Sequence, residues 1–137
     1  KTMDLKALDK ALQDIVKRRM ELQKLDYNNP KYDDLEEELH DLEDAFQENH
    51  GEYMEEVLQT IHDEHCPDTD VLYPIAYIGK VYQLNSKKEF TVATTEGVYV
   101  ELDKYPGKDT KLVIVPNPVR VLLNIGKDVQ QVVWTSK

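Results

Sequence analysis

The stretch YDDLEEELHDLEDAFQENHGEYMEEVLQTIHDEH, Tyr32–His65, decides the fold of this chain. Tyr32, Leu35, Leu39, Leu42, Phe46 and Tyr53 recur at the three-and-four spacing of one helical face, with Asn49 as the polar member of the row. No proline interrupts the stretch, and Cys66-Pro67 closes it, because proline disfavours helical geometry at the residue before it. Gly51 is the one weak point, where a kink near His50-Gly51 is expected.

Upstream, Leu5, Leu8, Leu12, Ile15 and Leu22 form a second seam, interrupted only by Arg19. Good helix formers fill the intervals, so the spacing predicts a first helix over about 4–26 and a second over about 31–65. Between them Tyr27-Asn28-Asn29-Pro30 reads as a tight turn, with Asn29 as the expected N-cap of the second helix. So short a connection implies an antiparallel, coiled-coil-like helical hairpin. In that register Arg18 and Arg19 lie opposite Glu38 and Glu37.

The second helix is longer than the first, at about 51 Å against about 33 Å for a rise of about 1.5 Å per residue. Its overhang carries Tyr53, Met54, Val57, Leu58 and Ile61, an apolar face that either the C-terminal half or a partner must cover. These residues, together with Tyr99, are the expected partner-binding positions.

After Pro67-Asp68-Thr69-Asp70 the period changes. Ile75–Leu84, Phe90–Thr95, Val98–Leu102, Leu112–Val115, Val119–Ile125 and Val129–Trp134 are β-branched and aromatic runs separated by turn residues, with Gly79 as a bend inside the first. The fold class that follows is α+β, with a hairpin domain over 1–70 and a small SH3-like or OB-like β-barrel of five to six strands over 71–137. Alternation along Val98-Tyr99-Val100 places Tyr99 outside if the valines face the core.

Charge is divided unevenly. Residues 1–30 hold 7 Lys and Arg against 5 Asp and Glu, residues 31–70 hold 1 against 16, and residues 71–137 hold 9 against 6, within a net charge of −10. The acidic middle argues against a phosphate backbone or an anionic lipid surface as its partner. A single cysteine, no apolar run of transmembrane length and no signal-peptide core at Lys1-Thr2-Met3-Asp4 lead to the expectation of a cytoplasmic protein.

One cluster has the residue types of a metal site. His62, His65 and Cys66 lie three and four apart on one helical face, and imidazole with thiolate is a zinc-type ligand set. The alternative assigns the histidines to the helix dipole and Cys66 to the core. No nucleophile elbow, phosphate-binding glycine loop or calcium loop is present, so no catalytic residue is assigned and no enzyme is expected.

In layout the hairpin followed by a small β domain resembles the bacterial transcript-cleavage factors, which insert an acidic coiled-coil tip into RNA polymerase. The corresponding tip here is Asp26-Tyr27-Asn28-Asn29. That resemblance implies a nucleic-acid- or polymerase-associated factor. The leading expectation is different: a non-enzymatic interaction or scaffold protein, homodimeric through its hairpins, that binds an unidentified protein or peptide. A metal-binding protein at the end of the second helix is the third.

Overall fold

The computed structural model describes residues 4–136. Two helices are followed by two antiparallel sheets, and no described helix is long and apolar enough to cross a membrane. Helix α1 runs Leu5–Gln23 behind Asp4, whose carboxylate accepts from the Lys6 and Ala7 amides at 3.1 Å each. Helix α2 runs Tyr32–His65 without a break. Gly51 therefore does not interrupt the helix. Gly51 is buried under the Gln47 side chain, which occupies the space a Cβ would need. Asn29 accepts from the Lys31 amide at 2.9 Å, so it closes the interhelical turn and does not cap α2.

Arg18 meets Glu38 at 2.8 Å, as the charge register anticipates, but Arg19 reaches Glu43 and not Glu37. The reason is a competing set of acceptors. Arg19 Nη1 donates to the Ile78 and Gly79 carbonyls at 3.0 and 2.9 Å, while Nη2 holds Glu43 at 2.7 Å. One guanidinium thus joins α1, α2 and the chain entering the β region. Gln23 donates to the Lys80 carbonyl, and Asp9 accepts from the Asn117 amide at 2.7 Å. Buried side chains from Leu8 to Ile125 form a single hydrophobic cluster that spans both helices and the sheets.

The four-stranded sheet has the order β3-β4-β5-β6, with β3 Val98–Tyr99, β4 Thr110–Val115, β5 Arg120–Ile125 and β6 Val129–Thr135. The second sheet is a ribbon of β1 Gln83–Leu84 and β2 Phe90–Thr91. Strands β4 and β5 are buried on both sides, which is why they read as unbroken apolar runs. On one side Trp134 packs edge-on against Tyr53 of α2, with ring centres 6.4 Å apart. On the other, Asn124 donates to the Ala93 and Glu96 carbonyls, and Gln130 to that of Val92.

A closed barrel is not found, and this corrects the expectation. Closure needed a long first strand, but the run Ile75–Leu84 is spent differently. Pro74–Tyr77 forms a 3-10 turn, and only Gln83–Leu84 pairs as strand. Between them Ile78 makes an isolated parallel bridge with Ile114, and side chains satisfy backbone groups beyond it. Tyr82 Oη accepts from the Gly79 amide at 2.7 Å and donates to the Ile114 carbonyl at 2.6 Å, while Glu96 accepts from the Lys80 amide at 2.6 Å.

Gly97 is required where it stands. Its φ is +114°, and an added Cβ would overlap the Leu112 carbonyl, with the carbonyl carbon at 2.8 Å. Gly97→Ala is expected to destabilise the protein by about 2–4 kcal/mol in urea unfolding, since left-handed strain adds to a backbone clash. A change too small to resolve would show that β3 and β4 separate freely there.

Candidate functional site

An open cleft of about 580 Å³ lies between the C-terminal half of α2 and the segment that follows it. Its lining is Glu55, Gln59, Val71, Leu72, Tyr73 and Ala76. Leu72 and Tyr73 are 46 % and 71 % exposed, unusual values for large apolar side chains next to one another. Local sequence explains their position. Tyr73 precedes a proline and is extended, at φ −63° and ψ 143°, and Pro74 opens the 3-10 turn that carries Tyr77 into the core.

A buried polar chain pins this wall to α2. The Thr69 carbonyl can only accept, so His62 Nδ1 carries the proton that it receives, over 2.8 Å. In the neutral ring Nε2 then accepts from the Tyr77 hydroxyl at 2.9 Å, and Tyr77 Oη in turn accepts from the Leu72 amide at 3.0 Å. The two rings meet edge to face at 6.0 Å, and His62 is 1 % exposed. Thr69 extends the chain, since its hydroxyl oxygen accepts from the Glu101 amide at 3.0 Å. Tyr77's phenol is raised above its ordinary value by burial, against a smaller opposing effect from the Leu72 hydrogen bond.

The three candidate zinc ligands stand in different surroundings. Both His62 nitrogens are occupied by protein partners, His65 lies partly exposed with Glu64 at 3.7 Å, and Cys66 is buried in the core. Among the described residues no group of three or more His, Cys, Asp or Glu is placed to hold a metal ion. The residue spacing identified a real cluster, but its members are divided between a hydrogen-bonded chain, the surface and the core.

The expected partner face is also redistributed. Met54, Val57, Leu58 and Ile61 are buried within the chain, and Tyr53 is half-buried against Trp134, so the overhang is covered from within. Tyr99 is exposed, at 54 %. Tyr77, Tyr82 and Phe90 are core residues. At the interhelical turn Tyr27 is exposed and leans on Tyr32, ring centres 5.3 Å apart.

Glu55 is the carboxylate in the cleft lining. Glu52, Glu55, Gln59 and Asp63 follow helical spacing along α2, and Gln59 donates to Asp63 at 2.9 Å. Sequence reasoning stopped one turn short of this site. Leu72 and Tyr73 sit just beyond Pro67–Asp70 and before the run Ile75–Leu84, between the expected linker and the first expected strand. No family model, curated protein or solved structure matches this chain.

Burial pushes the Cys66 thiol from its ordinary 9.0 up to about 11. The fold therefore favours the neutral thiol. Its contribution to stability is fully present below pH 9 and is lost as pH rises toward 11, with Tyr77 and Tyr82 acting in the same direction higher up. Cys66 is expected to resist thiol reagents in native protein at pH 8 and to react readily once unfolded. Rapid native labelling would show that the end of α2 opens easily.

Proposed function

We propose that this protein is a non-enzymatic interaction module whose α2 cleft receives a short segment of another protein, one that sets a large apolar side chain beside Lys or Arg. The observation that carries this reading is the pairing of exposed Leu72 and Tyr73 with Glu55 in the lining, on a helix whose sequence is densely acidic. An apolar floor supplies contact area, and the carboxylates select the sign of the flanking charge. The lining favours binding over catalysis, for it contains one carboxylate, one amide and four largely apolar residues.

The remaining architecture serves this surface as support. Helices α1 and α2 act as a hairpin strut, the Arg19 contacts fix the β region against it, and the His62–Tyr77 chain holds the cleft wall. A site held by buried hydrogen bonds loses little conformational entropy on binding, which favours affinity from a small contact. The net charge of −15 over residues 31–70, from 1 basic against 16 acidic residues, disfavours the nucleic-acid alternative at this surface.

Fluorescence anisotropy with two short labelled peptides tests the proposal, one alternating Leu and Phe with Lys and Arg, the other carrying Glu in place of each basic residue. The basic peptide is expected to bind more tightly, to weaken as salt is raised, and to lose at least about tenfold in affinity in the double variant Leu72→Ser, Tyr73→Ser. Equal binding of both peptides, no binding of either, or an unaffected double variant would contradict it.

A further inference from the structure

We infer that the edge strand β6 is a self-association surface, through which a second copy of this chain extends the four-stranded sheet. The helices do not offer such a surface. Leu8, Leu12, Ile15, Val16, Leu39 and Phe46 are buried within one chain, which removes the uncovered apolar seam that a dimer through the hairpins requires.

The sheet is different. Its order leaves β3 and β6 at the two edges; β3 has two residues, whereas β6 has seven. Among the described residues no strand pairs with the outer side of β6 over Val129–Trp134. Edge strands are ordinarily guarded by lysine, proline, a strong bulge or short length. Strand β6 reads Val129-Gln-Gln-Val-Val-Trp-Thr135, with no charged residue and no proline. A register shift occurs where Val121 and Leu122 pair with it, which leaves Val129–Val132 as a regular run opposite Ile125–Leu122. Val132 is 57 % exposed and Val129 38 % exposed, on a strand of β-branched and amide side chains.

Three considerations select a second copy as the occupant. The strand has no charge along its length, so antiparallel self-pairing brings no like charges into opposition between Val129 and Thr135. An identical edge satisfies two sets of outward backbone groups at once, whereas an isolated peptide would leave its own outer edge unpaired. A two-fold pair of edges also closes, giving a finite dimer with one continuous sheet of eight strands from two sets of four. The cleft at Leu72 and Tyr73 is not part of this surface, so the inference stands independently of the peptide-binding role.

Sedimentation equilibrium of the full chain at physiological ionic strength, from low to several hundred micromolar, tests it together with amide hydrogen exchange. The expected mass rises to twice that of the monomer, and the outward amides of Val129–Val132 gain protection with concentration. Val132→Lys, an exposed substitution that places a charge beside its own copy, is expected to remain monomeric with an unchanged circular dichroism spectrum. A wild type that stays monomeric, or a dimer whose β6 amides show no concentration-dependent protection, overturns the inference. A folded Val132→Lys variant that still dimerises does the same. The exchange measurement decides the matter even if that variant fails to fold.

Discussion

Arg19 is the interaction on which the arrangement of this protein depends. A guanidinium left unpaired at a largely buried position carries a large free-energy cost, so its surroundings must supply acceptors in a planar fork. Here they come from two places far apart in sequence: the Glu43 carboxylate on α2 and the consecutive carbonyls of Ile78 and Gly79. Both Arg19 and Glu43 side chains are less than one-fifth exposed, at 18 % and 17 %. The 78–82 segment makes few strand hydrogen bonds, and Arg19, Tyr82 and Glu96 satisfy its backbone in their place. Remove the guanidinium, and two carbonyls and a carboxylate lose their partner together.

This frame determines which surfaces remain available. The buried cluster consumes the inner faces of both helices and both sides of β4 and β5. Large apolar residues still exposed therefore mark where the fold has no use for them. Leu72 and Tyr73 stand at the cleft, Val129 and Val132 on the sheet edge, and Tyr27 at the interhelical turn. Cleft and edge differ in what they present. The first offers side chains beside carboxylates; the second offers an uncharged strand with an open edge.

The helices were legible because their hydrophobic period extends over many turns and proline and asparagine mark the turn between them. Strands β4, β5 and β6 were legible from β-branched runs bounded by Pro116-Asn117-Pro118 and Gly126-Lys127-Asp128. What the pattern could not give is the fate of Ile75–Leu84. Its composition suits a strand, yet Pro74 starts a 3-10 turn and side chains from other elements capture the backbone beyond it. Arg19 was visible only as an interruption of a seam. A cation at a core-facing position demands acceptors, but local spacing cannot say that they lie near residue 78. The His62–Tyr77 chain escaped for the same reason, since its partners come from beyond the helix that carries the histidine.

The central claim is that helices and sheets form one cooperative unit to which Arg19 contributes a shared contact. Urea unfolding of wild type and Arg19→Met, followed in parallel by helical circular dichroism and by fluorescence of the single tryptophan, Trp134 in β6, tests it most directly. The account predicts coincident transitions in the wild type, and in Arg19→Met a loss of about 2–3 kcal/mol seen equally by both probes. A sheet signal that outlasts the helical one in the wild type, or an Arg19→Met stability within about 0.5 kcal/mol of wild type, would contradict it.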